Sequence, residues 1–304
     1  MKVCRRLVII RVAAVLEMIV LGLMIVLPNV WTGPAMAAGP GPRLATVRTW
    51  AFAIGNGALS GLLARRAGPF DLVVVDGEGT TAAQIAQLRR AGATTVLAYL
   101  SVGTIEPYRS WYRAAAPYRL AYWRRWGEWY ADVSRAGYRD LILRAVAPGM
   151  LARGFDGLFL DNTDMIADHP TQAAGMVALV RGLSALARGR HDRYERGLLF
   201  TQNGEDTVGL MARYLDGWNR EDVTSTYDAD RHAYVRQSPA DVRAATEALR
   251  RLHAAGLLVT ATDYVAPGDM ATTRAAIRNA CASGALPFVS DIGLSRLPAH
   301  AFHC

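Results

Sequence analysis

Gly154-Phe155-Asp156-Gly157-Leu158-Phe159-Leu160-Asp161 is the stretch on which the fold turns. Its apolar residues are nearly continuous, too few for a typical helix, and they stop at an acid. Such a run reads as a strand covered on both faces, as parallel strands are when helices cross over them. Working outward, seven more runs share the pattern. Strands are therefore expected at residues 49–54, 71–75, 94–101, 155–161, 197–203, 215–221, 257–263 and 286–291. Helical stretches lie between most of them. Residues 80–91 open on a threonine cap, and 138–153 and 172–188 carry the 3.6-residue period. Residues 239–255 open with Ser238 and Pro239 as cap and first residue, and 269–283 lead into the last strand. This alternation predicts an α/β fold, a single (β/α)8 TIM-type barrel. An open doubly wound sheet fits less well. Gly55-Asn56-Gly57 follows the first strand, but the third spaced glycine of a dinucleotide loop is missing.

The N-terminus reads as an export signal. Lys2, Arg5, Arg6 and Arg11 precede an apolar run from Val12 to Leu27 that holds one charge, Glu17, and Ala35-Met36-Ala37 is a small-x-small cleavage site. The run is short for spanning a ~30 Å hydrocarbon core. Residues 1–37 are thus expected to be a signal peptide, 38–46 a short linker and 47–304 the barrel. The mature protein is expected to be secreted and monomeric, touching membrane only if the leader stays attached. Losing four basic residues and one acid with the leader takes the net charge from +8 to +5. The remaining positive charge is all arginine, scattered in short pairs, so nucleic acid is not an expected partner. Cys281 and Cys304 survive cleavage, and an oxidising compartment allows them either to pair or to stay as thiols.

Barrel active sites lie at the C-terminal strand ends. Here those ends read Asp76-Gly77-Glu78, Tyr99-Leu100-Ser101 with Glu106 beyond, Asp161-Asn162, Gln202-Asn203, Asn219-Arg220-Glu221-Asp222, Asp263-Tyr264 and Ser290-Asp291. A lone Asp after a strand serves equally as a helix cap, and Asp164 and Glu205 fit that role. Acids at five of eight ends point instead to a carboxylate pair or a metal site. No histidine falls at a strand end and no HxxxH spacing occurs, which argues against zinc; acids alone could hold calcium. No GxSxG elbow is present, and Cys281 falls in a helix. Two-carboxylate hydrolysis of an acetal is the chemistry left, with no metal or cofactor expected. Aromatic residues crowd the segment after the third strand, Trp123 among them. They suit either a sugar cleft or a lid packed on itself.

Several motifs together resemble one family. They are Trp50-Ala51-Phe52, Asp76, the run from Ala98 through Tyr99 to Glu106, Trp123, the Gly154–Asp161 run, Gln202-Asn203-Gly204-Glu205, Glu221, and Asp263-Tyr264. The chain is similar to the endo-α-1,4-polygalactosaminidases, glycoside hydrolase family 114. The resemblance implies an endo-acting barrel enzyme that cleaves α-1,4-linked galactosamine polymers with retention. It implies Asp161 as nucleophile and Glu221 as acid/base. Asp76, Tyr99, Glu106, Trp123, Asn203, Asp263 and Tyr264 would then bind the sugar. A non-catalytic carbohydrate-binding barrel is the alternative. Two features depart from the family pattern, Thr104-Ile105 and the residues around Glu221. Arg220 would lower the pKa of Glu221 if it pointed inward, but strand alternation sends it the other way. A cationic polymer also sits awkwardly with a positive protein unless the cleft field differs in sign from the net charge.

Overall fold

The computed structural model describes residues 43–64, 68–189 and 197–304. The expected signal peptide and residues 38–42 of the expected linker lie outside them. The rest of that linker includes a 3-10 turn, Leu44–Thr46, with Leu44 buried in the core.

All eight expected strands form. They are β1 (Trp50–Ala53), β2 (Leu72–Asp76), β3 (Thr95–Ser101), β4 (Gly157–Asp161), β5 (Leu198–Gln202), β6 (Gly217–Glu221), β7 (Leu258–Tyr264) and β8 (Leu286–Ser290). Each pairs in parallel with the next in chain order. At the seam Trp50 Nε1 donates to Leu286 O at 2.9 Å, which joins β1 to β8 and leaves a nearly closed barrel. Its interior is filled by rings, with Phe52 5.0 Å from Phe159 and 6.0 Å from Tyr99.

The helices start where local chemistry dictates. Ala82–Arg90 opens with a capping box between Thr81 and Gln84, and Pro239–Ala254 with Ser238 accepting from the Asp241 amide. The stretch expected as one helix at 138–153 is helical but passes through a wide π turn, Ile142–Val146. Pro148, two residues beyond the turn, has no N–H to donate to the Arg144 carbonyl as an ordinary α turn would require, which accounts for the widening.

Two antiparallel additions rise from the mouth. After β3, the segments Thr104–Ile105, Arg119–Trp123 and Glu128–Ala131 form a small sheet. After β6, Ser225–Asp228 pairs with Ala233–Arg236. Cys281 and Cys304 are bonded, tying the tail to helix Met270–Cys281, while Phe302 packs against Val265, Ala276 and Val289.

Candidate active site

The ends of β4, β5 and β6 share one backbone device. Asn162, Asn203 and Asp222, each the residue after the strand, have φ of 57°, 56° and 57°. Asn and Asp tolerate this left-handed conformation better than other non-glycine residues. It ends each strand sharply at its last side chain. Asp161, Gln202 and Glu221 are those last residues, and all three line one cleft of about 900 Å³ at the barrel mouth.

Asp161 is surrounded by donors. Tyr99 OH reaches Oδ2 at 2.6 Å, while Gln202 Nε2 and the Asn162 amide reach Oδ1 at 2.6 and 2.7 Å. Gln202 is itself oriented by a buried chain: Asn219 Nδ2 donates to Gln202 Oε1 at 3.1 Å, and Thr260 Oγ1 to Asn219 Oδ1 at 2.9 Å. Burial raises the Asp161 pKa, and the three donors oppose that rise by favouring the carboxylate.

Glu221 is held differently. Asn203 Nδ2 donates to Oε2 at 2.7 Å and Tyr264 OH donates to Oε1. Burial, then the charge of Asp161, then that of Asp222 push its pKa to about 8 against those two donors. A pKa at that level keeps a proton on Glu221 at neutral pH. Arg220 does not interfere. It points away from the cleft, pairs with Glu205 at 3.1 Å, and donates to the Glu221 carbonyl.

Six of the seven expected sugar-binding residues line this cleft: Asp76, Tyr99, Glu106, Trp123, Asn203 and Tyr264. Asp263 does not. It is buried, and its Oδ1 takes the Thr224 and Ser225 amides at 2.6 and 2.8 Å. On β7 the side chain before Tyr264 must face away from the barrel axis, so Asp263 instead anchors the chain leaving β6. Burial raises its pKa to about 7.

Sequence reading missed other cleft residues. Arg109 is buried between acids, with Nη1 2.5 Å from Asp76 and Nε 2.5 Å from Glu106. Glu106 is half of that pair and also accepts from Tyr108 OH. Glu128 and Asp164 also face the cleft, each with a pKa raised to about 7, first by burial. Asp164 fits a helix cap in the sequence, and nothing in one sequence marks Glu128 or Arg109, which lie off the barrel strands. Among the lining residues, eight carboxylates face two arginines, Arg109 and Arg125. The cleft is thus acidic in a chain of net charge +8.

Comparison with known proteins gives consistent results. The sequence model of glycoside-hydrolase family GH114 matches residues 32–298. An uncharacterized protein of Deinococcus radiodurans is 27% identical over 281 residues, covering 88% of this chain and 87% of that one. Among solved structures, the glycoside hydrolase domain of PelA from Pseudomonas aeruginosa superimposes with a TM-score of 0.67 at 22% identity, covering 84% of this chain and 98% of that domain. Aspergillus fumigatus Ega3, solved in complex with galactosamine, gives 0.62 at 16% identity, covering 84% and 95%. At these identities the two structures bear on the fold.

Proposed function

This chain belongs to glycoside-hydrolase family GH114 and is a glycoside hydrolase; on that premise we propose that it is a secreted, endo-acting, retaining enzyme for α-1,4-linked galactosamine polymers. The observation that carries the catalytic part is the contrast between two carboxyls in one cleft. Asp161 is surrounded by donors, whereas Glu221 holds a proton up to about pH 8. Environments that separate the roles of two acids in this way are what acetal hydrolysis requires.

In the first step a carboxylate oxygen of Asp161 attacks the anomeric carbon. The bond to the leaving oxygen breaks as that oxygen takes the Glu221 proton. In the second step the Glu221 carboxylate accepts a proton from water, whose oxygen attacks the same carbon and releases Asp161. Tyr99 and Gln202 hold the Asp161 oxygens, while Asn203 and Tyr264 hold those of Glu221. Trp123 and Trp126 offer ring faces at the rim. The excess of acid in the cleft suits an amine-bearing polymer, because a lined cleft focuses its own field against the net charge. Among the described residues no helix is long and apolar enough to cross a membrane. Secretion rests on the N-terminal sequence.

The test is release of reducing ends from galactosamine polymer by the protein without its leader, with Asp161→Asn and Glu221→Gln alongside. Wild-type activity lost in both variants, with the first product formed in the α configuration by NMR, is the expected result. Equal activity in all three removes the catalytic pair, and a β-configured first product removes retention.

A further inference from the structure

We propose that Glu128 binds the ammonium group of the substrate and so makes the enzyme select a free amino sugar over its N-acetylated form. This rests on reading the cleft as a hydrolase site. The other acids on the same wall are already engaged. Asp76 and Glu106 share the Arg109 guanidinium at 2.5 Å each, and Glu78 accepts the Ser110 amide at 3.1 Å together with the Ser110 hydroxyl. Glu128 has no basic side chain within ion-pair distance among the described residues, yet it lines the cleft. The groups that act on it are Thr104, the carboxylates of Glu106 and Asp161, and Arg109, whose Nε and Nη1 are already committed. Arg109 acts on Glu128 from beyond ion-pair distance, so the carboxylate has no direct cationic partner, and a ligand ammonium entering the cleft supplies one.

The position suits a sugar. Glu128 pairs in register with Trp123 on the small sheet after β3, and Trp123 faces the cleft with its ring stacked on Tyr130 at 5.2 Å. An indole for the apolar face of a sugar therefore stands beside a carboxylate for its amine, in the same cleft as Asp161. An ammonium donates charge-assisted hydrogen bonds that a neutral acetamide cannot match. Both residues come from the antiparallel addition rather than from a barrel strand, so selectivity and chemistry are built on separate elements.

Glu128→Gln keeps the shape and removes the charge. Binding is measured by calorimetry in the non-cleaving Glu221→Gln protein, with and without Glu128→Gln, using galactosamine oligomers and the same oligomers after N-acetylation. The expected result is a Kd raised about tenfold or more for the amine form and unchanged for the acetylated form. In the active enzyme KM for galactosamine polymer rises while kcat holds. Equal weakening of both ligands overturns the proposal, as does a fall in kcat with KM unmoved. Mass spectrometry of the oligomers after each titration separates the two readings: cleaved oligomers overturn the catalytic pair, whereas intact oligomers let the change in Kd report on Glu128 alone. Glu128→Asp, with matched melting curves, separates loss of charge from loss of fold: it retains part of the preference for the amine form if charge is the cause, and none if it is not.

Discussion

At the scale of single residues, the proton on Glu221 decides when the enzyme works. The alkaline limb of kcat/KM for the free enzyme is expected near pH 8, where Glu221 loses that proton. Tyr264 donates to the ionised carboxylate and so holds this pKa down. Tyr264→Phe is therefore expected to move the alkaline limb to higher pH, and a pH profile of kcat/KM reads the shift. A move to lower pH excludes that role. Glu221→Gln is expected to lower kcat by about 10²–10⁴, measured on galactosamine polymer. The acids at strand ends were legible because a strand ending in an acid is a local pattern. Glu128, Arg109 and the outward turn of Asp263 were not. Glu128 depends on a sheet that forms after β3, Arg109 on the turn that follows the first strand of that sheet, and Asp263 on which face of β7 each residue takes.

At the scale of elements, the barrel could be read from eight buried runs, while the antiparallel additions could not. Their strands are two to five residues long, too short for alternation to register, and their rings serve both packing and the cleft. The turn after β3 shows what that region demands. A Cβ on Gly103 would lie 1.8 Å from Asn162 O, a backbone atom in the residue after Asp161. Gly103→Ala must shift one of the two chains, and overpacking of this kind costs about 1–3 kcal/mol. Denaturant unfolding is expected to show that loss together with reduced activity; unchanged stability would mean the turn yields freely. At the other end of the chain, the Cys281–Cys304 bond closes a loop across a separation of 23 residues. The double serine variant is expected to lose about 2–4 kcal/mol in the same assay, with activity retained at low temperature.

At the scale of the whole molecule, an acidic cleft inside a basic protein sets function against stability. Glu128, Asp164 and Asp263 have pKa values raised to about 7 and Glu221 to about 8, with burial the first cause each time. In the unfolded chain such groups titrate near 4. Between those values the folded protein holds protons that the unfolded chain has released. The stability these groups provide is therefore complete below about pH 4 and is lost as pH rises through 7 to 8. Asp269 and Asp291 are shifted downward, and their contribution fails only on acidification below the usual carboxylate range. From pH 5 to pH 8 the raised groups dominate, so the melting temperature is expected to fall across that interval, as followed by calorimetry. Replacing Glu128 by Gln and Asp164 by Asn removes two of the four and is expected to flatten the slope. A melting temperature that is level or rising from pH 5 to pH 8 would show that these carboxyls are solvated in the folded protein, and the proton retained on Glu221 would then need another cause.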